Sequence, residues 1–182
     1  MQTVELRTTR LVLNALEPSD AARVAEYCAD PELQRFVPVP VPYTAADADE
    51  YVGEHAHRAT TSEQGMLWAI RAPEFAGVVE LMPRDDGVDE IGFWIGAPHR
   101  GRGIMTEAVR AVVEYAFDGL NVRRVLWRGY LDNEASAAVA RKAGFRYEGV
   151  ERAGGLHRAE PVDMHRAALL ATDARDEVTP WP

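Results

Sequence analysis

At 182 residues the chain suits one domain, or one domain with a tail, and its 47% hydrophobic content is that of a globular protein with a core. The formal net charge of −9 argues against a nonspecific nucleic-acid binder, whose surface would be basic, and favours encounter with a cationic partner. No run approaches the about 20 apolar residues of a membrane span, Met1 to Arg10 lacks an apolar signal core, and the single Cys28 excludes an intramolecular disulfide, so a cytoplasmic protein without nucleic-acid or membrane partners is expected.

Val4 to Leu16 reads as a first strand, with Leu11 and Leu13 alternating after Arg10. Pro18 opens a helix whose inner face carries Ala21, Val24, Ala25 and Cys28. No His lies near Cys28 in sequence, so its thiol reads as a small core group rather than a nucleophile. Val37-Pro38-Val39-Pro40-Val41-Pro42 is held extended by its alternating prolines. Thr44 caps a second helix, with Asp47 in a capping-box position, and the pattern continues through Ala48, Tyr51, Val52 and His55 before fading near Thr60. His55 and His57 lie two apart on it and point in different directions, with no Cys or carboxylate to complete a set, so no metal site is expected. Met66 to Arg71 and Phe75 to Pro83 read as strands, and Arg84-Asp85-Asp86-Gly87 as a hairpin turn.

The stretch from Asp89 to Ala116 organises the rest. Ile91, Phe93 and Ile95 alternate with Glu90, Gly92 and Trp94, the period of a strand with two different faces. Pro98 and His99 break it, Arg100-Gly101-Arg102-Gly103 follows, and Ile104, Ala108, Ala111, Val112, Tyr115 and Ala116 then fall on one side of a helix. A glycine turn feeding a helix N-terminus gathers backbone N–H groups at the positive end of the helix dipole, an anion site best suited to phosphate. A P-loop would need Lys and then Ser or Thr where Ile104 and Met105 stand, and a dinucleotide fingerprint a third glycine where Thr106 stands, so neither pattern fits. Val122 to Tyr130 is the next strand. Asn133 caps a short helix ending at a left-handed Gly144. Phe145 to Glu151 and Val162 to Leu170 are the last strands, with Gly154-Gly155 in the loop between, and Thr172 to Pro182 is expected to fray. The order β-α-α-β-β-β-α-β-α-β-β predicts an α+β fold, a mostly antiparallel sheet with helices on both faces and a parallel pair flanking the Ile104 helix.

Arg100-Gly101-Arg102-Gly103-Ile104-Met105 resembles the acetyl-CoA loop of the GNAT superfamily of N-acetyltransferases, with Arg100 and Gly103 matching and Met105 departing at a position usually small. Asn133-x-x-Ser136, followed by Gly144-Phe145, resembles a second signature of that superfamily. Thr9-Arg10-Leu11-x-Leu13, the Glu90 to Ile95 strand and Gly144-Phe145-Arg146-Tyr147-Glu148-Gly149 are similar to the RimJ/RimL-like branch, named for ribosomal-protein N-terminal acetyltransferases. The resemblance runs from about Leu6 to Leu170. It implies one domain over 1–171 with a tail over 172–182, and an α/β/α sandwich whose mixed sheet has about seven strands and about four helices.

The resemblance also implies acetyl-CoA as co-substrate. Its pyrophosphate would meet Arg100, Gly101, Arg102, Gly103, Ile104, Met105 and Thr106, the two arginines either screening charge or facing solvent. Its pantetheine arm would pair with Phe93, Trp94 and Ile95 in a splay, with Val125 to Trp127 across the gap; Gly92 and Gly96 either ease that splay or are packing glycines. Asn133 would both cap its helix and touch the cofactor. The acceptor is an amine, either a protein N-terminus or a small cationic compound, entering over Phe36 to Tyr43 and attacking the thioester directly; a homodimer stays open. Ala140 stands where many members place a tyrosine proton donor, which leaves Ser136 for that role. Glu90 ranks first as general base, acting through a water, with Glu151, Asp163 and Glu80 behind it, because Gly154-Gly155 occupies the loop where some relatives carry a carboxylate. Ala140 and that missing carboxylate keep a second reading open, a noncatalytic acyl-CoA-binding regulator of the same fold.

Overall fold

The computed structural model describes residues 3–55, 65–85, 87–175 and 177–182, with the side chain of His55 outside that set. The expectations for His55 and His57 as a pair, for the helix end near Thr60 and for Asp86 in the hairpin turn therefore lie outside the described residues. Two short strands open the chain, β1 (Leu6–Arg7) and β2 (Val12–Asn14). A 3-10 turn at Pro18–Asp20 leads to α1 (Ala21–Cys28), then α2 (Pro31–Phe36) and α3 (Ala45–Glu50), which runs into a π-helical turn at Tyr51–His55. Next come β3 (Met66–Arg71), β4 (Phe75–Asp85), β5 (Val88–Ile95), α4 (Ile104–Asp118), β6 (Arg124–Tyr130), α5 (Glu134–Lys142), β7 (Arg146–His157) and β8 (Glu160–Leu170). The eight strands form one sheet in the order β1-β2-β3-β4-β5-β6-β8-β7, antiparallel at every junction except β5–β6. The expected parallel pair is this one, because α4 carries the chain across the sheet between them.

Side-chain alternation in the strands divides the core into two layers. Trp68, Ile70, Val79, Leu81 and Ile91 pack with Ile104, Met105, Ala108, Val109, Val112 and Val113 of α4 on one face. Leu67, Ala69, Val78 and Trp94 pack with Val24, Cys28, Leu33 and Ala48 of α1–α3 on the other. Each fully buried aliphatic side chain contributes about 1.5–3 kcal/mol, so both helical layers are driven onto the sheet. No helix among the described residues is long and apolar enough to cross a membrane.

The structure corrects the expected elements at several points. The strand expected over Val4 to Leu16 is two, paired antiparallel through Leu6↔Leu13, because the chain turns at Thr8 to Arg10, where Leu11 N donates to Thr8 Oγ1. Asp30 caps a separate helix over Pro31–Phe36, its carboxylate accepting from Glu32 N, and so five α-helices stand among the described residues where about four were expected. Gly154-Gly155 lies inside β7, at an irregularity between Glu151 and Gly155, rather than in a loop; the turn comes at Arg158-Ala159, both with positive φ. Near the end of the chain, where fraying is expected, Trp181 Nε1 donates to Phe145 O at 3.0 Å and its ring packs against Trp127 and Tyr147.

Candidate active site

Gly101 and Gly103 have φ of +71° and +74°, the left-handed region that an L side chain disfavours by about 1–2 kcal/mol. A Cβ on Gly101 would meet nothing within 4 Å, and one on Gly103 only Arg10 Nη2 at 3.6 Å. The glycines answer a backbone requirement, and the space above them is open to a ligand. Gly103 is also the N-cap of α4, so the free N–H groups of that helix start at the same point.

The loop is braced from behind. Arg10 Nη1 donates to Arg102 O at 3.1 Å, Arg10 Nε to Glu107 Oε2 at 2.6 Å and Thr8 Oγ1 to Glu107 Oε1 at 2.5 Å. Burial raises the Glu107 carboxyl, but the hydrogen bonds from Thr8 and Arg10 and the Arg10 charge outweigh it and hold it below the ordinary carboxylate range. Sequence reading missed this brace; its trace was Arg10, a cation before an apolar strand, with Glu107 in the first turn of the Ile104 helix. Arg100 donates to Asp30 at 2.6 Å and to Glu32 at 2.8 Å. Met105 is only 4% exposed and packs into the core beneath the loop.

Register defines the cleft. Pairing between β5 and β6 ends at Glu90↔Leu126, although β5 continues to Ile95 and β6 to Tyr130. The splay therefore starts at Ile91 and Trp127; Val125 and Leu126, expected across the gap, still lie in the paired part. Gly96 N donates to Ala76 O of β4 at 2.9 Å. By alternation the Trp94 backbone also faces β4, and the N–H groups of Phe93 and Ile95 face the opened edge. Gly96 is a packing glycine, since a Cβ there would come 2.4 Å from the Tyr27 ring.

A cavity of about 1010 Å³ fills this opening. Its wall includes Phe93, Trp94, Ile95, Arg100, Gly101, Gly103, Ile104, Met105, Thr106, Asn133 and Ser136. Of the expected loop residues Arg102 alone is not on that wall: its side chain is exposed and its carbonyl is taken by Arg10. The cavity extends to Phe36 through Pro40 and Tyr43, and Asp47, Glu50, Glu80 and Glu90 line it on that side.

At the N-terminus of α5, Asn133 Oδ1 accepts from Ser136 N at 3.1 Å, while Asn133 N donates to Tyr130 O and Asn133 O accepts from Ala137 N. Its side chain caps the helix as expected. Ser136 Oγ accepts from Trp127 Nε1 at 3.1 Å, which leaves the hydroxyl proton for another acceptor. Ala140 is fully buried in the core. Glu90, on the strand face with Gly92 and Trp94, has its Oε2 engaged by Arg84 Nε at 3.0 Å and by Arg128 Nε at 3.2 Å. Arg128 also reaches Glu151 at 3.7 Å and Gly154 O at 2.8 Å, and Asp163 accepts from Ala153 N at 2.8 Å. Cys28 is core: burial pushes its thiol up to about 12, beyond nucleophilic use near neutrality.

Comparison with known proteins agrees with this geometry. The model of the acetyltransferase (GNAT) domain matches residues 10–146. The chain is 25% identical over 170 residues to "Uncharacterized N-acetyltransferase p20" of Bacillus licheniformis, covering 91% of this chain and 95% of that one. To the ribosomal-protein-serine acetyltransferase of Escherichia coli it is 35% identical over 86 residues, 46% of this chain and 48% of that one. Among solved structures, RimL, a ribosomal alpha-N-protein acetyltransferase in complex with coenzyme A, superposes with a TM-score of 0.78 at 22% identity, over 92% of this chain and 98% of that one. The mixed sheet, the glycine loop at the head of α4 and the match over residues 10–146 lead to one conclusion: the chain belongs to the GNAT family and is an N-acetyltransferase.

Proposed function

We propose that the chain transfers an acetyl group from acetyl-CoA to a primary amine by direct attack, and that the acceptor is an α-amine such as a protein N-terminus. What carries the reading is one cavity joining the glycine loop, through the β5–β6 splay, to an acid-lined wall. The N–H groups past Gly103 and the open space above Gly101 suit a pyrophosphate, and the edge groups of Phe93 and Ile95 suit an extended amide-bearing arm. When bound, the co-substrate supplies an activated acetyl thioester. An N–H from the opened edge of β5 takes the developing charge on the carbonyl oxygen, as a donor at the site of charge growth must. Ser136 delivers a proton to the departing sulfur.

Glu90 stands on the acceptor face, but two guanidiniums share its carboxylate. Paired in this way it is not a free base, and the acceptor's proton leaves to water. That arrangement favours an α-amine, with a pKa of about 7.7–8, over a lysine-like amine near about 10.4 that needs a strong base. Asp47, Glu50 and Glu80 add negative charge where a cationic acceptor enters.

Thiol release from acetyl-CoA, followed with a peptide bearing a free α-amine, the same peptide blocked at its N-terminus but carrying lysine, a polyamine and an aminoglycoside, tests the reading. Turnover fastest with the free α-amine is expected. Tight coenzyme A binding without turnover on any amine overturns the enzymatic assignment, and preference for the lysine peptide overturns the acceptor class.

A further inference from the structure

We propose that Trp127 is a positioning residue for proton delivery: its indole N–H fixes the Ser136 hydroxyl so that the remaining O–H points into the cleft, a role that rests on Ser136 being the proton donor. Trp127 is the first residue of β6 past the end of the β5–β6 pairing and is 1% exposed. A buried indole N–H needs an acceptor, and here it has Ser136 Oγ at 3.1 Å. A serine oxygen has two lone pairs and one proton. The indole on one lone pair keeps the hydroxyl proton out of that direction, and Asn133 Oδ1 already accepts from the Ser136 backbone N–H.

The indole is aimed from two sides. Gly129 lies two residues on, on the same face of β6, and a Cβ there would come 2.4 Å from Trp127 Cζ2, so only glycine leaves the ring this path. Trp181 backs the other side, its ring centroid 5.5 Å from that of Trp127. Trp181 is itself fixed by its Nε1 bond to Phe145 O and by Tyr147 at 5.3 Å. The C-terminal segment thereby becomes the outer support of a chain that runs from Trp181 through Trp127 to Ser136.

The proton balance is simple. As the amine lone pair forms the C–N bond, the C–S bond breaks with its electron pair on sulfur, and Ser136 passes its proton to that sulfur. The serine oxygen regains a proton from water, and the acceptor nitrogen releases one to water. An N–H donated to Ser136 Oγ stabilises that oxygen as it gives up its proton, because hydrogen bonds in a chain polarise one another.

The test is a cycle of Trp127→Phe, Ser136→Ala and the double variant, read by thiol release with the best acceptor of the panel above. Trp127→Phe should lower kcat about fivefold, the equivalent of one neutral hydrogen bond of about 1 kcal/mol, and leave KM for acetyl-CoA within about twofold. In the Ser136→Ala background it should cost nothing further. Equal losses in both backgrounds, the mark of a packing role, overturn the proposal. So does an unchanged kcat in Trp127→Phe while Ser136→Ala is slow. An unchanged kcat in Ser136→Ala overturns the proton-donor reading itself. Trp181→Leu, which leaves the N–H in place and removes its support, should lower kcat in the same direction by a smaller factor, and it carries the test if Trp127→Phe does not fold. A readout free of turnover is the indole ¹⁵N–¹H resonance of Trp127. It should shift on Ser136→Ala and on adding coenzyme A, and less on adding desulfo-coenzyme A; indifference to Ser136→Ala overturns the proposal.

Discussion

Gly103 offers the sharpest separation of backbone, bulk and charge at the loop. Its φ of +74° means that any L residue there costs about 1–2 kcal/mol of folding free energy. The nearest atom to an added Cβ is Arg10 Nη2 at 3.6 Å, ordinary contact, so Gly103→Ala should lower Tm by roughly 2–8 °C and no more. Ligand affinity should divide the variants differently. Gly103→Gln would put neutral bulk over the α4 N–H groups, and Gly103→Glu would add a negative charge, taken here at about 5 Å from a phosphate charge. At an effective dielectric of about 20, that repulsion is about 3 kcal/mol, or more than 100-fold in Kd. Calorimetry with coenzyme A is the assay, with thermal melts as the check on folding. The expected order of Kd is Ala, then Gln, then Glu, with at least a tenfold step from Gln to Glu. Equal Kd values for Gln and Glu would mean that no phosphate lies over Gly103, and the pyrophosphate seat would have to be placed elsewhere.

Arg10→Ala should weaken coenzyme A binding while leaving kcat at saturation within about twofold, because Arg10 braces the Arg102 carbonyl and touches no reacting atom. Glu107→Gln should cost stability at neutral pH and nothing in acid. The folded carboxyl lies below its unfolded value near about 4.3, so its contribution is full above that pH and is lost as pH falls through the folded pKa. Denaturant melts of both proteins from pH 7 downward check the convergence; a constant gap refutes it. Cys28, with its thiol raised to about 12, should give no reaction with a disulfide reagent at pH 8 in the native protein and one equivalent in denaturant. Fast native labelling would contradict its burial.

Much of the fold was legible because it rests on local patterns. Alternation around Ile91 to Ile95, the Thr44–Asp47 capping box and the glycine turn before Ile104 are decided by neighbours a few residues apart. Where a partner far along the chain decides, the sequence was silent. Val4 to Leu16 reads as one strand until Leu6 is seen opposite Leu13. Trp181 sits in a polar, proline-tipped segment that reads as a frayed end, and only the distant Trp127 and Tyr147 show why it is held. The same limit applies at the site. Motif and strand face point to Ser136 and Glu90, but not to their partners Trp127, Arg84 and Arg128, because each pairing depends on how side chains distant in sequence meet. Met105 looked like a misfit for a related reason: in a loop motif only its side-chain size is visible, whereas the helix start places it in the core, 4% exposed.

One short helix links the two halves of the cavity. Asp30 and Glu32, at the start of α2, hold Arg100 of the glycine loop, and Arg35, near its end, pairs with Asp132, just before the Asn133 cap. These six residues therefore connect the wall carrying the anion loop to the wall carrying Ser136, and the Phe36 to Tyr43 segment hangs from their C-terminal end. The exposed Arg35–Asp132 pair is worth about 0–1 kcal/mol, whereas the Arg100–Asp30 pair is partly buried. Their effect is geometric: a shift of α2 moves the acceptor wall and changes what Arg100 faces at the same time. Arg100 is the sole side-chain cation of the loop on the cavity wall, among the described residues, and two carboxylates already hold it. The donors this loop presents to the cavity are thus mainly backbone N–H groups, held by Gly101, Gly103 and the Arg10 brace. In a chain of net charge −9, an anion placed there would meet oriented peptide dipoles at contact distance, a local field that the more distant acidic surface would not cancel.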